Sequence, residues 1–368
     1  MVKEIIPIDE PFLSTEELSN LTEAIRTGWI GYQGPYVGRF EKAFAKYHGV
    51  KYAQSCFSGT SALIIAMKTL KIGKGDEVMV PTLTFSADAF AVSLADAKVV
   101  FVDCSPNRFT MSPDDVKKKI TKKTKTIIPT HLYGRPAEVD ELKEICEDNN
   151  ICLIEDCAQA QGAIYKNKKL GSIGDFNIHS FHNKLIATGE GGMITTDNKE
   201  FAERFKLLIH PAPMNKTDFN EISINQRISN LHAAIGLAQL GRLEETIKKK
   251  LRMAKLYDEH LKDLDGITII PTDPWTRTVY WRYTILLSQK ISRDKVIEES
   301  KKGGFITRET YKPLHKHPYY SDYKNQSLPH AEHIGKHGLD IPSSVKLTDE
   351  QIVFVANELR KIIKKLRK

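Results

Sequence analysis

The chain has 368 residues, more than one hydrophobic core usually serves, so two domains in one compact unit are expected. With 41% hydrophobic and 27% charged residues, no apolar run near the ~20 residues of a membrane span and no signal-peptide layout, it reads as a soluble cytoplasmic protein without a membrane partner. The net charge of +8 gathers in runs such as Lys117-Lys118-Lys119, Lys122-Lys123 and residues 360–368; no aromatic interleaving accompanies them, so solvated helix faces are expected rather than a nucleic-acid surface, and the charge suits an anionic substrate.

In chain order, Ser14-Thr15-Glu16-Glu17-Leu18 is a capping box that opens a helix ending near Gly28. From Tyr52 to about Asp197, short β-branched runs alternate with helical patterns. The runs are residues 52–57, 77–81, 98–103, 126–129 and 151–156, with helical stretches such as 62–70 and 138–149 between them. This alternation, with nearly continuous apolar strands, predicts a buried and mostly parallel sheet. Ligands of such sheets bind beyond the carboxyl ends of the strands. Residues 227–264 carry a long helical pattern. After Gly266 come short strands at 267–270 and 280–287, then helices near 292–302 and 348–366, an α+β character that predicts a smaller second domain. The expected division is a large domain over residues 1–245 and a small one over 246–368. The five cysteines, Cys56, Cys104, Cys146, Cys152 and Cys157, form no C-x-x-C pair; they read as reduced, mostly buried thiols, and no metal site is expected.

Four features can carry chemistry. Ser58-Gly59-Thr60-Ser61 lies between a strand and a helix, where free N–H groups, a positive dipole end and the Thr60 and Ser61 hydroxyls suit a phosphate, or an ordinary helix cap. Phe85, just past the run 77–81, can stack on a flat heterocycle or fill the core. In Glu155-Asp156-Cys157-Ala158-Gln159-Ala160, a carboxylate at a strand end can keep a ligand ring nitrogen protonated, or cap a helix. Finally, Ser180-Phe181-His182-Asn183-Lys184 precedes the glycine-rich Thr188-Gly189-Glu190-Gly191-Gly192. A partly desolvated lysine there has a lowered pKa and can attack an aldehyde, whereas a lone lysine beside glycines is ordinarily a surface residue.

These features keep their order among further motifs: Gly34-Pro35-Tyr36-Val37, Gly75-Asp76-Glu77-Val78, His131-Leu132-Tyr133-Gly134, Arg227-Ile228-Ser229-Asn230 and Thr307-Arg308-Glu309-Thr310-Tyr311. Over nearly its whole length the sequence closely resembles the sugar aminotransferases of the DegT/DnrJ/EryC1/StrS family. The resemblance implies an α/β fold of fold-type I, pyridoxal 5'-phosphate (PLP) as cofactor and a homodimer with sites between subunits. It implies transfer of an amino group from an amino acid, L-glutamate, to a keto nucleotide sugar, in making an amino-deoxysugar for a surface polysaccharide or glycoconjugate. By the same resemblance Lys184 is the catalytic lysine that carries the cofactor, Asp156 the partner of its ring nitrogen, Gln159 the neighbour of its ring hydroxyl and Phe85 the stacking aromatic. Gly59, Thr60 and Ser180 match phosphate contacts, with Ser61 beside them. Asn225 resembles the asparagine that reaches the neighbouring subunit's phosphate, and Arg308 and His315 fall where the family meets its sugar.

Three departures from the family pattern stand out. The step from Ser180 to Lys184 is one residue shorter than usual, residues 210–224 do not follow the usual loop, and Lys312 stands where many members have an aromatic or a histidine. Three other readings compete. Relatives that act as PLP-dependent deoxysugar dehydratases replace the lysine by histidine, yet Lys184 is retained, with His182 close by. A non-catalytic PLP-binding regulator would not need the intact set of Lys184, Asp156 and Gln159. Nucleic-acid binding through the basic tail would need no cofactor.

Overall fold

A computed structural model describes residues 5–210 and 222–367. Helix α1 (Thr15–Arg26) starts at the expected capping box, with the Glu17 carboxylate accepting from Ser14 N–H at 2.9 Å. Helix α2 (Pro35–His48) opens on a proline, whose missing N–H costs nothing there, and closes at Gly49 with φ of 75°, a left-handed cap that glycine adopts freely. Strand β1 (Tyr52–Cys56) leads into α3 (Gly59–Thr69). That helix begins before the expected residue 62, because Ser58 is extended and accepts from Ser61 N–H as its cap.

The alternation continues through β2 (Glu77–Pro81), α4 (Ala87–Leu94), β3 (Lys98–Val102), α5 (Pro113–Lys119), β4 (Thr124–Ile127), α6 (Val139–Asn149) and β5 (Cys152–Asp156). A small hairpin, β6 (Ile164–Tyr165) and β7 (Lys168–Lys169), precedes β8 (Phe176–Ser180), β9 (Gly192–Thr196) and α7 (Lys199–Ile209). Seven strands form one sheet in the order β1-β9-β8-β5-β4-β2-β3. It is mostly parallel, as expected, with β9 antiparallel to both its neighbours. Every residue of β2 is buried, and the pleat sends Val78 and Val80 into one apolar layer and Met79 into the other. Helices on both faces cover these layers, which is why the strands carry no polar alternation.

The helical pattern at 227–264 resolves into two helices, α8 (Asn230–Gly241) and α9 (Leu243–Leu261). Arg242 breaks them: it leaves helical dihedrals while its guanidinium bonds Glu17 and the Phe12 carbonyl. Helix α9 runs through the expected division at residue 245. Its Leu243 and Ile247 join the large core, whereas Met253, Tyr257 and Leu261 join a separate one. That second core lies on an antiparallel sheet. Its strands are β10 (Ile267–Ile269), β12 (Tyr283–Leu287), β13 (Arg308–Glu309) and β14 (Gly338–Ile341), and α10 (Arg293–Lys302) and α12 (Asp349–Leu366) pack into this core; α11 (Pro329–His337) sends Ala331 and Ile334 into the large core, and β11 (Thr276–Arg277) pairs back onto β6. The strand expected from residue 280 starts only at Tyr283, since Tyr280 has φ of 46° and cannot extend the ladder. Among the described residues no helix is long and apolar enough to cross a membrane.

Candidate active site

Strands β1, β2, β5 and β8 share one direction, so their carboxyl ends open on the same side of the sheet. A cleft of about 780 Å³ lies there, with β13 and the turn before β12 as its far wall. It brings together Gly59, Thr60, Phe85, Asp156, Gln159, Ser180, Lys184 and Arg308. Three other expected residues stand outside its lining. Ser61 is buried in the first turn of α3, with its hydroxyl 3.0 Å from that of Ser58. Asn225 is exposed, and its Oδ1 accepts from Arg227 N–H at 3.2 Å. His315 is fully buried between Thr82 Oγ1 at 2.6 Å and Glu332 at 3.2 Å, while Lys312 and His317 line the cleft.

At one end the cleft is built for close backbone approach. A Cβ on Gly59 would lie 2.7 Å from Ser180 Cβ, and one on Gly192 would lie 2.5 Å from the Ser58 carbonyl. The α3 N-terminus, Ser180 and the start of β9 therefore press together, and only glycine permits it. The free N–H groups and positive end of α3 make this corner attractive to an anion.

Opposite, β5 ends on two carboxylates that the pleat sends to opposite faces. Glu155 is turned inward and consumed by structure: it accepts from Ile173 and Gly174 N–H at 2.8 and 2.9 Å and faces His131 Nε2 at 3.1 Å. Asp156 faces the cleft. Its Oδ1 accepts from Ala158 N–H at 2.8 Å, and no helix follows for it to cap. Burial raises its carboxyl pKa, against the Ala158 N–H, His131 and Lys184. Gln159 Oε1 accepts from Tyr133 N–H at 2.9 Å, which leaves its amide nitrogen as the donor for a ligand. Phe85 is 55% exposed at the mouth, an apolar ring without cover on one face.

Lys184 sits half-buried, with its amine 3.6 Å from the centroid of the Trp281 ring. Burial lowers its pKa to about 7; Asp156 opposes the shift, and Arg282 and Arg308 add to it. The short step from Ser180 is accommodated by a tight turn in which Asn183 takes φ of 45°, a conformation asparagine tolerates. Backbone bonds from Phe181 to Gly191 and from Thr188 to Phe181, both 2.9 Å, close the loop. Trp281 Nε1 donates to the Asn183 carbonyl at 2.9 Å and pins it from the other wall.

Tyr133, Trp281, Arg282 and Tyr311, to which the sequence pattern gave no site role, also line the cleft. Tyr133 stacks on Tyr311 with centroids 5.6 Å apart and planes at 3°. Its φ of 57° and the following Gly134 mark a strained turn, for which the motif His131-Leu132-Tyr133-Gly134 was the available signal. Arg282 lies in a strand-like run and carries no local signature. Of the atypical loop at 210–224, residues 211–221 lie outside the described residues.

The pattern of the DegT/DnrJ/EryC1/StrS aminotransferase family matches residues 11–360. The chain belongs to the DegT/DnrJ/EryC1/StrS aminotransferase family. The GDP-perosamine synthase of Caulobacter vibrioides is 38% identical to this aminotransferase over 364 residues, 97% of this chain and 98% of that one. Among solved structures, S. venezuelae DesV superposes with a TM-score of 0.90 at 31% identity, covering 95% of each chain. Spr1654 of Streptococcus pneumoniae, in its PMP-form, gives 0.93 at 25% identity and 98% coverage of each chain; a PLP-form of it is also known. This aminotransferase is thus a PLP-dependent sugar aminotransferase. Its cleft fits the cofactor on its own evidence: an anion corner that a Cβ would fill, an uncovered aromatic ring at the mouth, a buried carboxylate and a low-pKa amine share one cavity.

Proposed function

We propose that this aminotransferase moves the amino group of L-glutamate onto the keto carbon of a nucleotide sugar, and that GDP-4-keto-6-deoxymannose is its acceptor. The product would be an amino-deoxysugar for a surface polysaccharide or glycoconjugate, made in the cytoplasm. The observation that carries the reading is Lys184, an amine with a pKa near 7 on the wall shared with Asp156. The likeness to the Caulobacter GDP-perosamine synthase supports the choice of sugar. The cationic Arg282, Arg308 and Lys312 in the same cleft suit an anionic substrate.

When bound, PLP supplies an aldehyde that accepts an amino group and a ring that withdraws electrons from the adjoining carbon. Lys184 would hold the aldehyde and, when free, would remove and return the proton at the reacting carbons as general base and acid. Asp156 would pair with the protonated ring nitrogen, Gln159 would donate to the ring hydroxyl and Phe85 would cover one face. Gly59, Thr60 and Ser180 would hold the phosphate, with Ser61 supporting the turn through Ser58. Arg308 faces the sugar, and His315 contributes through the wall on which Lys312 and His317 stand.

We assign a homodimer in which Asn225 reaches the neighbouring subunit's phosphate, supported by its exposure outside the lining of its own cleft. Exposed Phe57 and Ile224 offer apolar area for the same interface. The decisive experiment incubates the enzyme and glutamate with GDP-, dTDP- and UDP-linked keto sugars and reads products by mass. Amination of the GDP sugar is expected. If glutamate aminates the cofactor but another sugar is consumed, the acceptor is wrong and the transaminase stands.

A further inference from the structure

Asp88, in the first turn of α4, is 1% exposed and plays no part in the reaction described above. Its Oδ2 accepts from the Thr130 hydroxyl at 2.8 Å and lies 3.2 Å from that of Thr84. Its Oδ1 finds no donor among the described residues, and Asp88 makes no ion pair among them. It neighbours Asp156, and the two carboxyl groups act on each other. The backbone enforces this approach. Thr130 bridges to Asp156 in parallel, Asp156 N–H donates to the Pro129 carbonyl at 3.0 Å, and the Thr130 hydroxyl holds Asp88.

Two buried carboxylates held side by side repel each other, which favours one shared proton over two negative charges. A proton on Asp88 relieves the repulsion and turns an unpartnered carboxylate oxygen into a hydrogen-bond donor. We propose that Asp88 keeps its proton at neutral pH and donates it to Asp156, as a positioning residue that fixes the carboxylate facing the cofactor's ring nitrogen. The inference rests on the reading of Asp156 as that partner.

The other titratable groups around the pair agree. Lys184 and His131 act on Asp156. His131 is fixed in one tautomer, with Nδ1 accepting from Ala137 N–H at 3.0 Å and Nε2 turned to Glu155, so it is not free to donate to Asp88. Burial first, then the charge of Asp156, pushes the Asp88 carboxyl well above its usual range, while the Thr130 and Thr84 hydroxyls pull the other way. With Ala158 N–H on Oδ1 and Asp88 as a second donor, the plane of the Asp156 carboxylate is set from two directions.

The test compares wild type with Asp88→Asn and Asp88→Leu as holoenzymes. The amide keeps a donor for Asp156 but cannot titrate; leucine offers none. The infrared difference between wild type and Asp88→Asn at neutral pH should show the carbonyl stretch of a neutral carboxylic acid, shifted in heavy water. Absence of that band overturns the proposal. In the unfolded chain an aspartate ionises near 3.8, whereas folded Asp88 holds its proton far longer, so the folded state binds the extra proton and wild-type stability falls as pH rises. The melting temperature of Asp88→Asn should therefore gain on wild type steadily from about pH 5 to about pH 8. A gap that stays constant, or moves the other way, means an ionised Asp88 and also overturns it. For the glutamate half-reaction, Asp88→Leu should lose roughly tenfold in rate, as loss of an outer-shell partner commonly does, and Asp88→Asn should restore most of it. Equal losses in both variants count against a donor role. The infrared band can also be read on protein stripped of cofactor, so failure of cofactor binding would strike the reading of Asp156 and leave the protonation of Asp88 separately decided.

Discussion

Lys184 differs from the solvated lysines of this cationic chain because of its surroundings. A pKa of about 7 means that half of its amines are neutral near pH 7. Below that pH the protonated amine has no lone pair with which to attack an aldehyde; above it the neutral form dominates. Stopped-flow addition of PLP to cofactor-free protein should show a rate that climbs through pH 7 and levels above it. A midpoint near the ordinary lysine value of 10.5 would show that the wall of Trp281, Arg282 and Arg308 does not act on the amine. Lys184→Ala should remove the yellow bound form and turnover together, measured by absorbance and product mass. The same scale explains Glu155 and Asp156. Adjacent in sequence and alike in chemistry, they diverge because one is surrounded by backbone donors and His131, and the other opens on the cleft.

At the scale of elements, the cofactor-binding face depends on helices that arrive from distant parts of the chain. Helix α1 is tied to the junction of α8 and α9 by Glu17 and Arg242, whose Nη1 lies 2.8 Å from Glu17 Oε2 while Nη2 engages Oε1. The Glu17 and Arg242 side chains are only 4% and 13% exposed, so solvent does little to screen the pair. Removing one partner leaves a charge buried without compensation. Glu17→Ala should cost about 3 kcal/mol of stability, and the double variant with Arg242→Met should recover part of it. Chemical denaturation of the four proteins in a cycle measures this directly. Glu17 is also the third residue of the capping box, so its loss frays α1 as well.

At the scale of the whole molecule, one chain lines the cofactor cleft, and Asn225 is exposed outside that lining. If the site is completed across a two-fold axis, a Lys184→Ala subunit and an Asn225→Ala subunit can repair each other. Their mixed dimer then holds one site with both residues intact. Co-assembly of equal amounts should give about a quarter of the wild-type activity from two weakly active parents, because half the dimers are mixed and each carries one repaired site. Activity equal to the mean of the parents would place Asn225 outside the partner's site. Long-range packing also explains why α9 belongs to two cores: its buried stripe turns from Leu243 and Ile247 to Met253 and Tyr257.

The local sequence determined much of this. The capping box of α1 and the buried strands were legible, since turn chemistry and apolar periodicity are local properties; the set of Gly59, Phe85, Asp156, Gln159, Ser180 and Lys184 was singled out by the family resemblance. The resemblance carried by the motifs added the cofactor. Tertiary structure decided the rest. It buried His315 behind the cleft wall and set Ser61 against Ser58. It split the pattern at 227–264 at Arg242, since the pull of Glu17 comes from the far end of the chain. It placed Trp281 beside Lys184 and Asp88 beside Asp156, contacts between residues remote in sequence. Periodicity and spacing record what a residue does to its near neighbours. Burial, charge pairing and the pKa of an amine depend on groups that only the folded chain brings within a few ångströms.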